Sequence, residues 1–178
     1  MDATASTTIN APAHTIYETW CRFDQLPQFM YHLETVTPLD DRRSHWVAKA
    51  PAGTTVEWNA EIVDEVPDTR LAWRSVEGSE ISNAGEVRFE PAPGDRGTEI
   101  HVALSYTAPA GALGTAVAKL FGEEPNQQLR DDLRRFKQLI ETGEIARSDG
   151  SPAGTRARNK TDQEAAQPAE NVDQEAMA

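Results

Sequence analysis

The sequence predicts an α+β fold: one strand, two short helices, a run of six antiparallel strands and one long C-terminal helix, the seven strands forming a curved sheet around that helix. Three observations lead there. Residues 123–143 carry Leu129, Leu133, Phe136 and Ile140 at i, i+4, i+7 and i+11, a single apolar stripe on the helical period. Residues 32–108 break into short runs separated by turn chemistry. The clearest run is Thr54 to Val66, where Val56, Trp58, Ala60 and Ile62 alternate with Glu57, Asn59 and Glu61. A sheet with one apolar and one wet face needs a cover, and the striped helix is the only element long enough to supply it.

Taken in order, residues 3–10 are rich in β-branched types and read as the first strand. Asn10-Ala11-Pro12 opens a helix in which Ile16, Trp20 and Phe23 face inward, and residues 24–30 form a second short helix interrupted near Pro27. Six strands follow: Leu33 to Leu39, Ser44 to Ala50, Thr54 to Val66, Arg70 to Val76, Gly85 to Pro91 and Thr98 to Thr107. Asp40 to Arg43, Pro51-Ala52-Gly53, Pro67-Asp68 and Pro93 to Gly97 supply turns, and Glu77 to Asn83 reads as a polar loop. Leu113, Val117 and Leu120 keep helical spacing in the Ala/Gly-rich stretch 108–122, which meets the main helix near Pro125. Pro125 suits a first helical position and Gly143 a left-handed stop, and Asp131 can reach Arg135 across one turn.

The totals bound the function. A chain of 178 residues makes one domain with a full core. Residues 1–145 form that domain. Residues 146–178 contain no Leu, Ile, Phe, Trp or Tyr and are expected to be a disordered polar tail. A net charge of −12, from 17 basic and 29 acidic residues, disfavours nucleic acid and anionic membrane surfaces. Cys21, the single cysteine, cannot form an intrachain disulfide. No apolar run approaches the ~20 residues of a transmembrane segment, and no secretory pattern opens the chain, so the expected location is the cytoplasm.

Several stretches carry a resemblance. I-N-A-P at 9–12, the helix bearing Trp20, and L-P-Q-F-M at 26–30 resemble the start of the START-like helix-grip superfamily (SRPBCC). V-E-W-N-A-E-I-V-D-E-V-P at 56–67, L-A-W-R-S at 71–75 and V-R-F-E-P at 87–91 are similar to its polyketide cyclase/dehydrase branch, which includes coenzyme Q-binding START-like proteins; D-L-R-R-F-K at 132–137 resembles the final helix. The resemblance covers roughly residues 3–143. It implies a cavity between the concave sheet face and the C-terminal helix that holds a hydrophobic small molecule. The inner-face residues expected to line it are Trp46, Trp58, Ile62, Trp73, Phe89, Leu104 and Tyr106 from the strands, and Leu129, Leu133 and Phe136 from the helix.

Motifs for other chemistry are missing from the sequence. There is no G-x-S-x-G, phosphate-binding glycine loop or dinucleotide fingerprint. His14, His32, His45 and His101 lack metal-ligand spacing, so neither a metal nor another cofactor is expected. His45 and His101, like Arg74 and Arg88, have the parity of the wet face. Cys21 reads as a small buried or half-buried thiol rather than a nucleophile. Ser75, Tyr106 and, less directly, Thr35 and Thr37 share the inner parity; Ser75 and Tyr106 are the residues expected to hydrogen-bond a ligand. The expected function is binding or transport of a lipid, quinone or polyketide-like ring without catalysis. The alternatives are a cyclase/dehydratase-type enzyme, which needs polar side chains converging inside the fold, and an acidic co-chaperone-like module that uses the Glu57, Asn59, Glu61 face for a protein partner.

Overall fold

The chain lays down its first strand at one edge of the sheet, crosses to the other edge, and then returns strand by strand. A computed structural model describes residues 2–50, 53–79, 81–107 and 124–145. The strands are β1 (Asp2–Ile9), β2 (Leu33–Pro38), β3 (Arg43–Lys49), β4 (Thr55–Val66), β5 (Arg70–Ser75), β6 (Ser82–Pro91) and β7 (Thr98–Thr107). The helices are α1 (Ala13–Cys21) and α2 (Pro125–Thr142), with 3-10 turns at Phe23–Gln28 and Pro93–Asp95. All seven strands form one antiparallel sheet in the order β1-β7-β6-β5-β4-β3-β2. The crossing is made by α1 and the 3-10 turn, which bury Ile16, Tyr17, Trp20, Phe23 and Leu26.

Alternation holds where it was clearest. Val56, Trp58 and Ala60 are buried while Glu57 and Asn59 are exposed, and β7 buries Ile100, Val102, Leu104 and Tyr106 in the same rhythm. Irregularities account for three departures. The register of β2 shifts between Leu33 and Thr35, so Leu33 and Val36 point in and both Thr35 and Thr37 are exposed. A similar shift between Ile62 and Asp64 in β4 leaves Ile62 half-buried and Val63 exposed. The segment read as a polar loop at 77–83 is the correction of most consequence: β6 starts at Ser82, and Ile81 and Asn83 are buried. An exposed Ser82 followed by an inward, polar Asn83 hid the strand's first residues. The expected helix at 108–122 and the tail at 146–178 lie outside the described residues.

Helix α2 starts with Pro125 in its first turn and stops at Gly143, whose φ of 75° and N–H bond to the Leu139 carbonyl make the left-handed cap. Its stripe buries Leu129, Leu133 and Phe136. Its flanks protect the free edge of β1. Asn126 accepts from the Thr4 N–H at 2.8 Å, Lys137 donates to the Thr8 carbonyl at 2.7 Å, and Glu141 accepts from the Asn10 N–H at 2.8 Å. Backbone groups that would otherwise template another strand are thereby satisfied by side chains. The ion pairs along the helix differ from the expected one: Asp131 meets Arg134 at 3.4 Å, and Arg135 pairs with Asp132.

Candidate ligand-binding site

Strands β3, β4 and β5 place one tryptophan each on the inner face. Trp46 lies directly opposite Trp58, and Ile62 opposite Trp73. The rings gather into a stack, with Trp46–Trp58 centroids at 5.8 Å and Trp46–Trp73 centroids at 6.3 Å, inclined by 23° and 13°. Phe23 leans on this stack from the 3-10 turn, 5.9 Å from Trp46 and 6.5 Å from Trp73. Trp73 lies over Gly85, its direct partner on β6, where a Cβ would fall 2.2 Å from the indole. Glycine is required there because the ring occupies the volume of a side chain.

The polar ends of the stack are unevenly satisfied. Trp46 donates its Nε1–H to the Ser44 hydroxyl at 2.8 Å, and both residues are buried. Trp58 and Trp73 are each 5% exposed, and their buried Nε1–H groups have no hydrogen-bond partner. Buried indole N–H groups are ordinarily paired.

The remaining expected residues divide among neighbouring groups. Phe136 meets Trp20 at 5.1 Å and Phe29 at 4.7 Å, making a second aromatic cluster. Among the described residues its ring contacts do not include the three-tryptophan stack. Phe89 packs edge-on to Tyr17 at 5.7 Å. Leu104, Leu129 and Leu133 are buried in the same continuous core. Ser75 is half-buried, and its hydroxyl accepts the Asn83 N–H at 3.0 Å.

Tyr106 leads to a group that sequence reasoning missed. Asn83 faces it across β6 and β7 and hydrogen-bonds its hydroxyl. Asp132 of α2 is near enough for its charge to act on the phenol, whose pKa is raised first by burial and then by that carboxylate. Asp132 Oδ2 lies 3.6 Å from His32 Nδ1, and both side chains are almost fully enclosed. Burial pushes the Asp132 carboxyl up to about 7, against the opposing pull of Arg135. Burial, helped by the charges of Arg135 and Lys49, holds the His32 imidazole down to about 4. Arg135 also donates Nε–H to the Phe29 carbonyl at 2.8 Å and lies 4.1 Å over the Tyr31 ring. A signal for Asp132 was present: it sits three residues after Leu129, inside the apolar stripe. His32 stands between two elements, where no periodicity marks it.

Elsewhere the chemistry is sparse. His45 is near Glu57 and His101 near Glu90 and Glu99, all on the outer face. Among the described residues no group of three or more His, Cys, Asp or Glu could hold a metal ion. Burial pushes the Cys21 thiol up, away from the reactive thiolate. A surface hollow of about 430 Å³ between β1, β6 and β7 is lined by outward groups such as Thr4, Ser6, Glu86, Arg88 and His101, on the opposite face from the stack. Among the described residues no helix is long and apolar enough to cross a membrane.

A curled seven-stranded antiparallel sheet with a C-terminal helix is the START-like, helix-grip fold. The family described as polyketide cyclase / dehydrase and lipid transport matches residues 9–134, and the chain belongs to that family. An uncharacterized 17.2 kDa protein of Streptomyces lincolnensis is 32% identical over 136 residues, 75% of this chain and 85% of its own. A crystal structure of a Deinococcus radiodurans protein is similar at 43% identity and a TM-score of 0.68, covering 81% of this chain and 99% of that one. A START superfamily protein from Mycobacterium smegmatis shares the fold at 18% identity and a TM-score of 0.60, covering 78% of this chain and 98% of its own. The family makes this a ligand-binding fold; which ligand it takes is a separate question.

Proposed function

We propose that this protein binds or carries a hydrophobic small molecule bearing a ring system, a quinone, polyketide-like compound or lipid, between the inner sheet face and α2. The observation that carries this reading is the tryptophan stack on β3, β4 and β5. Among the described residues its ring contacts do not include Phe136, and two of its buried donors lack acceptors. A core evolved only for packing would pair or avoid such groups, whereas a binding site leaves them for a ligand. Trp46, Trp58 and Trp73 form the platform, and Ile62, Phe89, Leu104, Leu129, Leu133 and Phe136 the apolar surround. Ser75 and Tyr106 are the hydroxyls that would hydrogen-bond the ligand. Titration with a hydrophobic fluorophore tests it: tryptophan emission quenches saturably in the wild type, and Trp58→Ala with Trp73→Ala weakens binding at least tenfold. Quenching that rises linearly without saturation overturns the reading.

One observation favours a second reading, an acid–base enzyme acting on a polyketide-like ketone. Asp132, His32 and Tyr106 converge beside the core, with a carboxyl poised near neutrality and an imidazole that stays uncharged. A neutral imidazole can accept a proton and a protonated carboxyl can donate one. Proton abstraction beside a carbonyl is read directly as deuterium exchange into 1-tetralone by NMR. The enzyme reading expects exchange above the buffer rate that Asp132→Asn abolishes; exchange at the buffer rate removes it. Binding stands first because Arg135, through Asp132, Phe29 and Tyr31, gives the cluster a role in fastening α2.

A further inference from the structure

We propose that the ligand presents a hydrogen-bond acceptor, a carbonyl on a flat ring, to the indole N–H groups of Trp58 and Trp73, so that keto-bearing aromatic compounds are preferred over plain hydrocarbons and saturated acyl chains. The inference rests on the binding reading above and names the chemistry that the site selects. Of the four tryptophans, three have buried Nε1–H groups without a partner: Trp20, Trp58 and Trp73. Trp20 is wedged between Phe29 and Phe136, so its ring is committed to the α1–α2 packing. Trp58 and Trp73 stand on adjacent strands of the inner sheet face, beside Trp46, whose own N–H is already given to Ser44. The stack therefore offers a ring two donors and, among its own groups, no acceptor.

That asymmetry discriminates. An indole N–H only donates. A hydrocarbon laid on the stack satisfies the rings and leaves both donors desolvated. An oxygen acceptor on the same ring system removes that cost, and a site built to meet a polar group discriminates against an analogue lacking it. A saturated chain has neither the flat face to stack on nor the acceptor. The chemistry fits a ketone, a quinone or a ring lactone, and it makes the donors specificity-determining.

The test compares 9-fluorenone with fluorene, two ring systems of one shape that differ by the carbonyl, by equilibrium dialysis and by indole 15N–1H NMR of the full chain. Fluorenone is expected to bind at least fivefold more tightly than fluorene, the value of about one net hydrogen bond. The Trp58 and Trp73 indole N–H signals should move downfield with fluorenone only, and that of Trp46 should hold. Trp58→Phe and Trp73→Phe keep an aromatic surface but delete the donor, and each should narrow the ratio of fluorenone to fluorene affinity, whatever the loss common to both compounds; a ratio unchanged in both variants overturns the assignment of the donors. Equal affinity for the two compounds, or shifts that spare Trp58 and Trp73, overturns the carbonyl preference and leaves binding intact. Saturable binding of neither compound overturns the preference, and it contradicts the binding reading as well if the fluorophore titration is also unsaturable. The NMR comparison needs no variant, so a misfolded substitution does not blunt it.

Discussion

Asp132 and His32 are packed together yet titrate in opposite senses. Asp132 is raised from 3.8 to about 7 on folding, so between those values the folded state holds the extra proton and stability falls as pH rises. His32 is lowered from 6.5 to about 4, so between those values the unfolded state holds the extra proton and stability rises with pH. Asp132, kept largely protonated by burial, lends His32 no countercharge in that window. From pH 4 to 6.5 the two slopes oppose and nearly cancel. Substituting either residue uncovers the other. Relative to wild type, urea unfolding of Asp132→Asn should gain stability with rising pH over that range, and His32→Gln should lose it, each by at most about 1.4 kcal/mol per pH unit. Two variants that shift in the same sense would contradict the assignment. At Gly85 the test is steric. Gly85→Ala forces the Trp73 ring off its strand, and overpacking of this kind costs about 1–3 kcal/mol. Its melting temperature should fall and its near-UV circular dichroism change. An unaltered spectrum would mean the ring does not lie there.

Helix α2 joins three tasks in one element. Its stripe closes the core, its flanking Asn126, Lys137 and Glu141 satisfy the free edge of β1, and Arg135 reaches the Phe29 carbonyl on the far side. The stripe was legible because Leu129, Leu133 and Phe136 repeat on the helical period, and Pro125 and Gly143 mark the ends. The flanks were not legible, because a Lys or an Asn on a helix looks the same whether it faces water or a strand edge. Asp132 interrupts the stripe, but the period alone does not say that a carboxylate there is enclosed. Its partner His32 precedes β2, and only the crossing of α1 and the 3-10 turn brings that point beneath α2. Phe136→Ala should cost about 3–5 kcal/mol, since the ring is fully enclosed between Trp20 and Phe29. Denaturant titration reads this directly, and a loss under 1 kcal/mol would show that the helix is not seated as described.

At the scale of the molecule, strand order and turns follow from alternation and turn chemistry, since one buried face fixes register over long runs such as β4 and β7. The bulges in β2 and β4 and the early start of β6 did not, because a single extra residue or an inward Asn leaves no periodic trace. The inward placement of Trp46, Trp58 and Trp73 was readable by parity. Their stacking, the satisfaction of Trp46 by Ser44 and the unpartnered donors of Trp58 and Trp73 depend on ring geometry, which no spacing encodes. The fold positions that platform, and the family carries both binding and enzymatic members in its description. Function therefore rests on what occupies the inner face. The most direct measurement is native mass spectrometry of the freshly purified protein, followed by solvent extraction of the same sample. The account predicts a mass above that of the bare chain, released as an apolar compound containing a ring; the bare chain mass together with an empty extract would contradict it.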